Sequence, residues 1–262
     1  MKSLKPPFED QQIQIQEKIK EEIMTEEASL YIIAAPIGNP EDITLRALRI
    51  IKETTAIIYC EDTRQTARVL SYHGINKPLR SLHMHSDDRK IMSLIDEVRS
   101  GVNIGYMTDS GTPGLSDPGS KIVSMARKEG INVVPVPGVS ALTTLISVSG
   151  FPEKTVLFGG FLSKKPGKRI NELNRLKTHE GILIIYESPH RIKKTLKDVG
   201  EVFAGREIII GREMTKKFEE YISFNSGRMT EIIDKLTEKG EFAIGILNKE
   251  LKFRDTEDGE DD

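Results

Sequence analysis

From Leu30 onward the chain alternates short, nearly uninterrupted β-branched apolar runs with stretches of helical spacing, and this alternation leaves few folds open. LYIIAAP (30–36), AIIYCE (56–61), VNIGYMTD (102–109) and INVVPVP (131–137) are too apolar for strands with one wet face. They read as strands covered on both sides, as in a parallel sheet flanked by helices. ITLRALRIIKE, TRQTARVLSYHG and GSKIVSMARKEG lie between them with a 3.6-residue period, and the last two end on Gly74 and Gly130, placed as helix C-caps. After PVPGVS the rhythm changes. TVLFGGFL (155–162), GILIIYE (181–187), REIIIGRE (206–213), KFEEYISF (217–224) and EFAIGILN (241–248) read as strands, with helices near 168–179, 189–201 and 226–239. The two consecutive strands over 206–224 predict an antiparallel hairpin, hence a mixed sheet. The expected fold class is α/β, with two α/β domains at 29–137 and 138–250 joined near Pro137 and Gly138. A polar N-terminal extension (1–28) carries an Ile15, Ile19, Ile23 stripe that suits a solvated helix, and the last segment (251–262) reads as an acidic disordered tail.

Charge first argues against a polyanionic partner, because the formal net charge is −2. The balance changes once it is divided along the chain. Residues 1–28 hold four lysines against seven acids, and residues 255–262 hold six acids and no base, which leaves 29–254 at +7. The body is basic, and its ends conceal it. Deleting 255–262 is therefore expected to leave folding intact and to strengthen binding of a polyanion, RNA included, only if the basic body is the binding part, an effect largest at low salt. The one cysteine, Cys60, leaves no internal disulfide to form and fits a reducing cytoplasm. No apolar run reaches the roughly 18 residues of a spanning helix, and MKSLKPPFEDQQ has no signal-peptide core, so no membrane association is expected.

Familiar site signatures are absent. No two of the 21 glycines are separated by a single residue, so the G-x-G dinucleotide fingerprint is excluded, and there is no G-x-x-x-x-G-K-[ST], H-E-x-x-H or G-x-S-x-G. What remains is three Gly/Pro loops, each directly after an expected strand: Pro36–Pro40, Asp109–Gly119 and Pro135–Ala141. Ligands of open α/β sheets sit beyond the carboxyl ends of strands, and glycine lets the backbone approach them closely. Two charged loops accompany these. Glu61-Asp62-Thr63-Arg64 offers Asp62 or Thr63 as an N-cap, a role that leaves Arg64 unexplained, and Glu187-Ser188-Pro189-His190-Arg191 gathers more charge than a structural loop requires. Lys164, Lys165, Lys168, Arg169, Arg175 and Lys177 against Glu172 give +5 within 163–177, a candidate phosphate-backbone contact. His83-Met84-His85 with Asp87 and Asp88 lacks the further ligands of a metal site, so no metal is expected. Cys60, inside an apolar run, reads as a small buried hydrophobe.

In order and spacing, LYIIAAPIGNPEDITLRAL, CEDTR, TDSGTPGLSDPG, PVPGVSAL, FGGFL, YESPHR, GREMTKKFEE and KGEFAIGI resemble the ribosomal RNA small subunit methyltransferase I family. That family belongs to the tetrapyrrole-methylase-like, class III methyltransferases. The resemblance covers about Leu30 to Leu247 and departs from the usual pattern at Ser110, where alanine is common, and at Met214, where leucine is. It implies two α/β domains with S-adenosyl-L-methionine in the cleft between them, a homodimer, and 2′-O-methylation of a cytidine in the decoding region of 16S rRNA, free or in the 30S subunit. Carried onto this sequence, it places Pro36, Gly38, Asp109, Gly111, Thr112, Leu115, Ser140 and Ala141 at the cofactor, with Tyr186, Glu187, Met214, Ala243 and Ile244 enclosing its adenine side.

The chemistry agrees. A cationic sulfonium is better served by loop carbonyls and carboxylates than by lysine or arginine, and methyl transfer depends chiefly on holding two reactants in line. A ribose hydroxyl must lose its proton, so Asp62 or Glu187 is the expected acceptor, with Arg64, Arg191 and Lys216 steadying phosphates or the developing alkoxide. Lys164, Lys165, Lys168, Arg169 and Arg191 are the expected RNA contacts. Two other readings compete: a tetrapyrrole methylase, which would want a wide apolar cleft rather than a cationic rim, and a ribosome-binding factor without catalysis, against which the intact Gly111-Thr112-Pro113 and Pro36-x-Gly38 speak.

Overall fold

The computed structural model describes residues 27–83 and 87–249. The Ile15–Ile23 stripe, His85 of the histidine pair and the acidic tail lie outside the described residues. Contacts divide the chain into two compact units. Among the described residues, one gathers 27–33, Arg46–Met107 and Pro118–Val136, and the other gathers Ala34–Leu45, Thr108–Asp117 and 137–249. The loops that leave two strands of the first unit therefore group with the second, which no reading of the sequence in linear order anticipates.

The first unit is built on a five-stranded, wholly parallel sheet in the order β3-β2-β4-β1-β5, from β1 (Ser29–Ile33), β2 (Ile57–Cys60), β3 (Leu79–Ser81), β4 (Ile104–Met107) and β5 (Asn132–Val136). Every residue of the central β4 is buried, as its apolar run predicts, whereas the edge strand β5 is half exposed. Pro135 is tolerated there because an edge strand can spare one ladder donor. Four helices connect the strands: α1 (Leu45–Arg49), which widens into a π turn over Ile50–Thr54, α2 (Thr63–Tyr72), α3 (Asp88–Arg99) and α4 (Gly119–Lys128). Gly74 and Gly130 take left-handed φ values of 65° and 75° just past α2 and α4, as expected of C-terminal caps. The strand β3 and helix α3 were not foreseen. β3 is three residues long, and α3 buries Ile91, Leu94, Ile95 and Val98 on one face, a pattern present in the sequence but overlooked.

The second unit carries a mixed sheet in the order β6-β7-β10-β8-β9, formed by β6 (Val156–Phe161), β7 (Gly181–Glu187), β8 (Glu207–Arg212), β9 (Glu220–Asn225) and β10 (Phe242–Asn248). β6 and β7 run parallel, every other pair is antiparallel, and β8–β9 is the expected hairpin. Helices α6 (Pro166–Lys177), α7 (Ile192–Val202) and α8 (Met229–Lys235) cover one face around Leu196, Phe203, Ile210 and Ile244. The other face packs α5 (Ala141–Ser149) through Leu145, together with Ile37, Met214 and Ala243. At about 1.5–3 kcal/mol for each fully buried aliphatic side chain, both faces contribute heavily to stability.

Candidate active site

All three Gly/Pro loops contribute to the second unit, and they are laced to one another. Ala35 and Gly111 exchange both backbone hydrogen bonds, at 2.9 and 3.1 Å, and the Thr108 hydroxyl donates to the Gly111 carbonyl at 3.0 Å. Gly111 stands at φ 78°, a conformation in which an L side chain is strained. The Thr112 hydroxyl donates to the Val139 carbonyl at 3.0 Å, which ties the 109–119 loop to the 135–141 loop. Within the longer loop the Asp117 carboxylate accepts the amides of Gly114 and Leu115 and holds Ser116 at φ 67°, leaving Leu115 exposed.

The Pro36–Pro40 loop is fixed by a turn of unusual backbone. After β8, Glu213 and Thr215 both take positive φ, 49° and 64°, on either side of Met214. For a β-branched residue such as Thr215 this costs on the order of 1–3 kcal/mol. The Thr215 hydroxyl accepts the Asn39 amide at 3.0 Å, and Asn39 in turn accepts from Glu41 to start the next turn. A Cβ at Gly38 would lie 2.5 Å from Lys216 Cγ, 2.7 Å from Thr215 Oγ1 and 2.9 Å from the Met214 carbonyl, so only glycine fits. Lys216 Nζ lies 2.9 Å from both Glu213 Oε1 and Glu241 Oε2. Burial favours the neutral amine, yet the hydrogen bonds Lys216 donates to the two carboxylates outweigh it and raise its pKa. Lys216 is thus paired with Glu213 of its own turn and with the distant Glu241.

β7 sorts its residues by alternation. Tyr186 faces α5, where its hydroxyl bonds the Ser140 side chain and the Leu142 backbone; burial pushes the phenol above its ordinary value despite those bonds. Glu187 faces the other way. Its fully buried carboxylate accepts from Thr195 Oγ1 at 2.6 Å and the Ser188 amide at 2.8 Å, and pairs with Arg191 Nη2 at 3.1 Å. Arg191 Nη2 also donates to the Leu162 and Ser163 carbonyls, at 2.7 and 3.2 Å. Glu187 and Arg191 therefore brace the ESPHR loop, and the expectation that they accept a proton or hold phosphate gives way to a structural role. The same period of two separates Ala243, on the face of Ile37 and Met214, from Ile244, whose side chain packs with α7 and α8. Only the Ile244 backbone is available to a ligand on the Ala243 side.

In the first unit Asp62 caps α2, accepting the Arg64 amide at 2.8 Å, and pairs with the Arg64 guanidinium at 2.7 Å. The Arg64 side-chain hydrogen bonds, followed by the backbone amide, hold the Asp62 carboxyl at about 2. Cap and charged partner are thus one unit, and the Arg64 side chain is 83% exposed. In the basic segment Lys164, Lys165, Lys168, Arg175 and Lys177 face solvent. Arg169 does not: its guanidinium is buried and bonded to Asp198 at 2.6 Å, joining α6 to α7, so it leaves the set of RNA contacts. Thr215, Thr195 and Asp198 were missed in the sequence because nothing local marks a residue whose partner lies elsewhere in the fold, whereas Asp117 bonds amides only two and three residues before it. Among the described residues no three His, Cys, Asp or Glu side chains gather as a metal site, and no helix is long and apolar enough to cross a membrane.

Two α/β sheets with Gly/Pro loops laced beyond their strands define a methylase of the class whose family description reads Tetrapyrrole (Corrin/Porphyrin) Methylases. That description matches residues 29–230, and the chain belongs to that family. Over 237 residues, 90% of the chain and 98% of the relative, it is 38% identical to a protein of Leptospira biflexa named Ribosomal RNA small subunit methyltransferase I. A Borrelia garinii protein of the same name is 42% identical over 82% of the chain and 96% of its own length. Among solved structures, a cobalt precorrin-4 methyltransferase shares the fold at a TM-score of 0.61 and 15% identity, over 83% of this chain and 94% of that one. A Thermus thermophilus uroporphyrin-III C-methyl transferase complexed with S-adenyl homocysteine does so at 0.57 and 18%, over 83% and 97%.

Proposed function

We propose that the protein uses S-adenosyl-L-methionine to methylate the 2′-hydroxyl of a cytidine in the decoding region of 16S rRNA, acting in the cytoplasm as a homodimer on the free RNA or the 30S subunit. One observation carries the reading: relatives named for this ribosomal RNA share 38–42% identity over most of the chain, whereas the corrinoid- and porphyrin-named neighbours share the fold at 15–18%.

The residues present suit the cofactor. Gly38 leaves bare backbone exposed in its loop, Ile37, Met214 and Ala243 supply an apolar floor, and the ammonium against Gly38, that of Lys216, is neutralised by two carboxylates, as a sulfonium ligand would want. When bound, S-adenosyl-L-methionine supplies an electrophilic methyl group. The ribose hydroxyl that would receive that group has to give up its proton, and a carboxylate of this chain would take it. With Glu187 walled in, that carboxylate is Asp62. An RNA phosphate that draws the exposed Arg64 guanidinium away removes the bonds that keep Asp62 near 2, so its basicity rises as substrate docks. Mapping 2′-O-methylation across 16S rRNA from cells with and without the gene tests the reading. One cytidine of the decoding region should lose its mark, and an unchanged profile refutes it.

A further inference from the structure

Three residues apart on one strand, Phe158 and Phe161 should point to opposite faces of the sheet. They do not. β6 pairs Phe158 with Ile184, then shifts register so that Gly160 meets Ile185 and Phe161 meets Tyr186. Gly160 makes the bulge possible by adopting φ 61°, and Gly159 is closed to any side chain by Ile185 Cγ2, 2.9 Å from where its Cβ would be. As a result both phenylalanine rings meet the Tyr186 ring edge-on, at centroid distances of 4.9 and 5.8 Å. Phe158 is half-buried, whereas Phe161, which a bulge and two glycines put in place, stays 56% exposed. Tyr186 is itself fixed through Ser140 and Leu142, so Phe161 rests against a held ring beside the cofactor loops. Exposed Lys164, Lys165 and Lys168 follow within seven residues.

A held, solvent-facing aromatic next to a run of ammonium groups is the combination that binds single-stranded nucleic acid, the bases stacking while the cations follow the phosphates. We propose that Phe161 is the stacking platform for an unpaired nucleobase of the RNA substrate, adjacent to the nucleotide that is methylated. This rests on the rRNA reading above, and the cationic neighbours favour RNA over a second copy of the chain as the occupant. The protein contains no tryptophan, so Phe161→Trp installs a single indole at the platform.

Adding a synthetic oligoribonucleotide of decoding-region sequence should quench that indole, and replacing one base beside the target cytidine by an abasic residue should abolish the quenching. Phe161→Ala should weaken binding of the intact oligonucleotide about 5- to 100-fold, leave the abasic one unaffected and leave S-adenosyl-L-methionine affinity unchanged, with Phe161→Trp restoring RNA binding. Absence of quenching, or equal loss of both ligands, overturns the platform. A shift of Phe161→Ala from dimer to monomer in sedimentation with RNA affinity intact overturns it in favour of a contact between copies. Wild-type protein that binds the oligonucleotide yet methylates neither it nor 30S particles would sink the enzymatic reading, while the quenching still decides the platform.

Discussion

The two units spend left-handed backbone differently. In the first, the residues at positive φ are Gly74, Gly101 and Gly130, each just past a helix, and a Cβ on any of them would meet nothing within 4 Å. In the second, non-glycine residues adopt the same region at Ser116, Glu213 and Thr215, in the segments that hold the Gly/Pro loops together. Left-handed glycine at a helix end is cheap and terminates an element, whereas left-handed threonine is costly and survives only where surrounding contacts impose it. The first unit uses left-handed glycine to end its helices, and the second adds left-handed non-glycine residues where its loops are held together.

The largest effect expected is from Glu187→Ala. It strands Thr195 and Arg191 around an emptied buried site, and denaturant melts should show a loss of about 3–5 kcal/mol. A loss under 1 kcal/mol would return Glu187 to the candidates for catalysis. A sharper test sets Thr215→Gly against Gly130→Ala. Relieving the backbone at Thr215 should leave the melting temperature unchanged or raise it, while calorimetry finds S-adenosyl-L-methionine binding weakened about tenfold through loss of the bond to Asn39; Thr215→Ser should keep the affinity. Gly130→Ala should cost about 1 kcal/mol in stability with cofactor affinity intact. If Thr215→Gly binds the cofactor normally, the contrast between the units fails. The smallest effect concerns Asp62. Its folded pKa of about 2 lies below the ordinary 3.8, so its contribution to stability is full above pH 3.8 and is lost as pH falls through 2. In Arg64→Gln, carboxyl NMR titration should move the Asp62 midpoint back toward 3.8; an unmoved midpoint would assign the shift to the helix cap alone.

Much of this architecture was legible in the chain, because burial on both faces of a strand and the helical period leave direct marks on composition. The runs at 102–109 and 181–187 became β4 and β7, and the hairpin over 206–224 became β8–β9. β3 escaped because three residues carry no period. The charged residues were harder. Lys164, Lys165, Lys168 and Arg169 are indistinguishable in sequence, yet Asp198, 29 residues downstream, takes Arg169 alone into the interior. Tyr186 and Glu187, and Ala243 and Ile244, were grouped as neighbours at one ligand, although the strand period of two already sends each pair to opposite faces.

By itself the sequence determined the α/β class, the family and the loops that carry glycine and proline, because apolar period, turn chemistry and ordered motifs are local properties of a chain. Only the tertiary structure decided which charges remain available. Buried charge persists only when paired, and the partners of Glu187, Arg169 and Lys216 include residues at Thr195, Asp198 and Glu241 that no local pattern ties to them. The same holds for Phe161, whose exposure depends on a register shift between two strands, which exists only once β6 and β7 have paired.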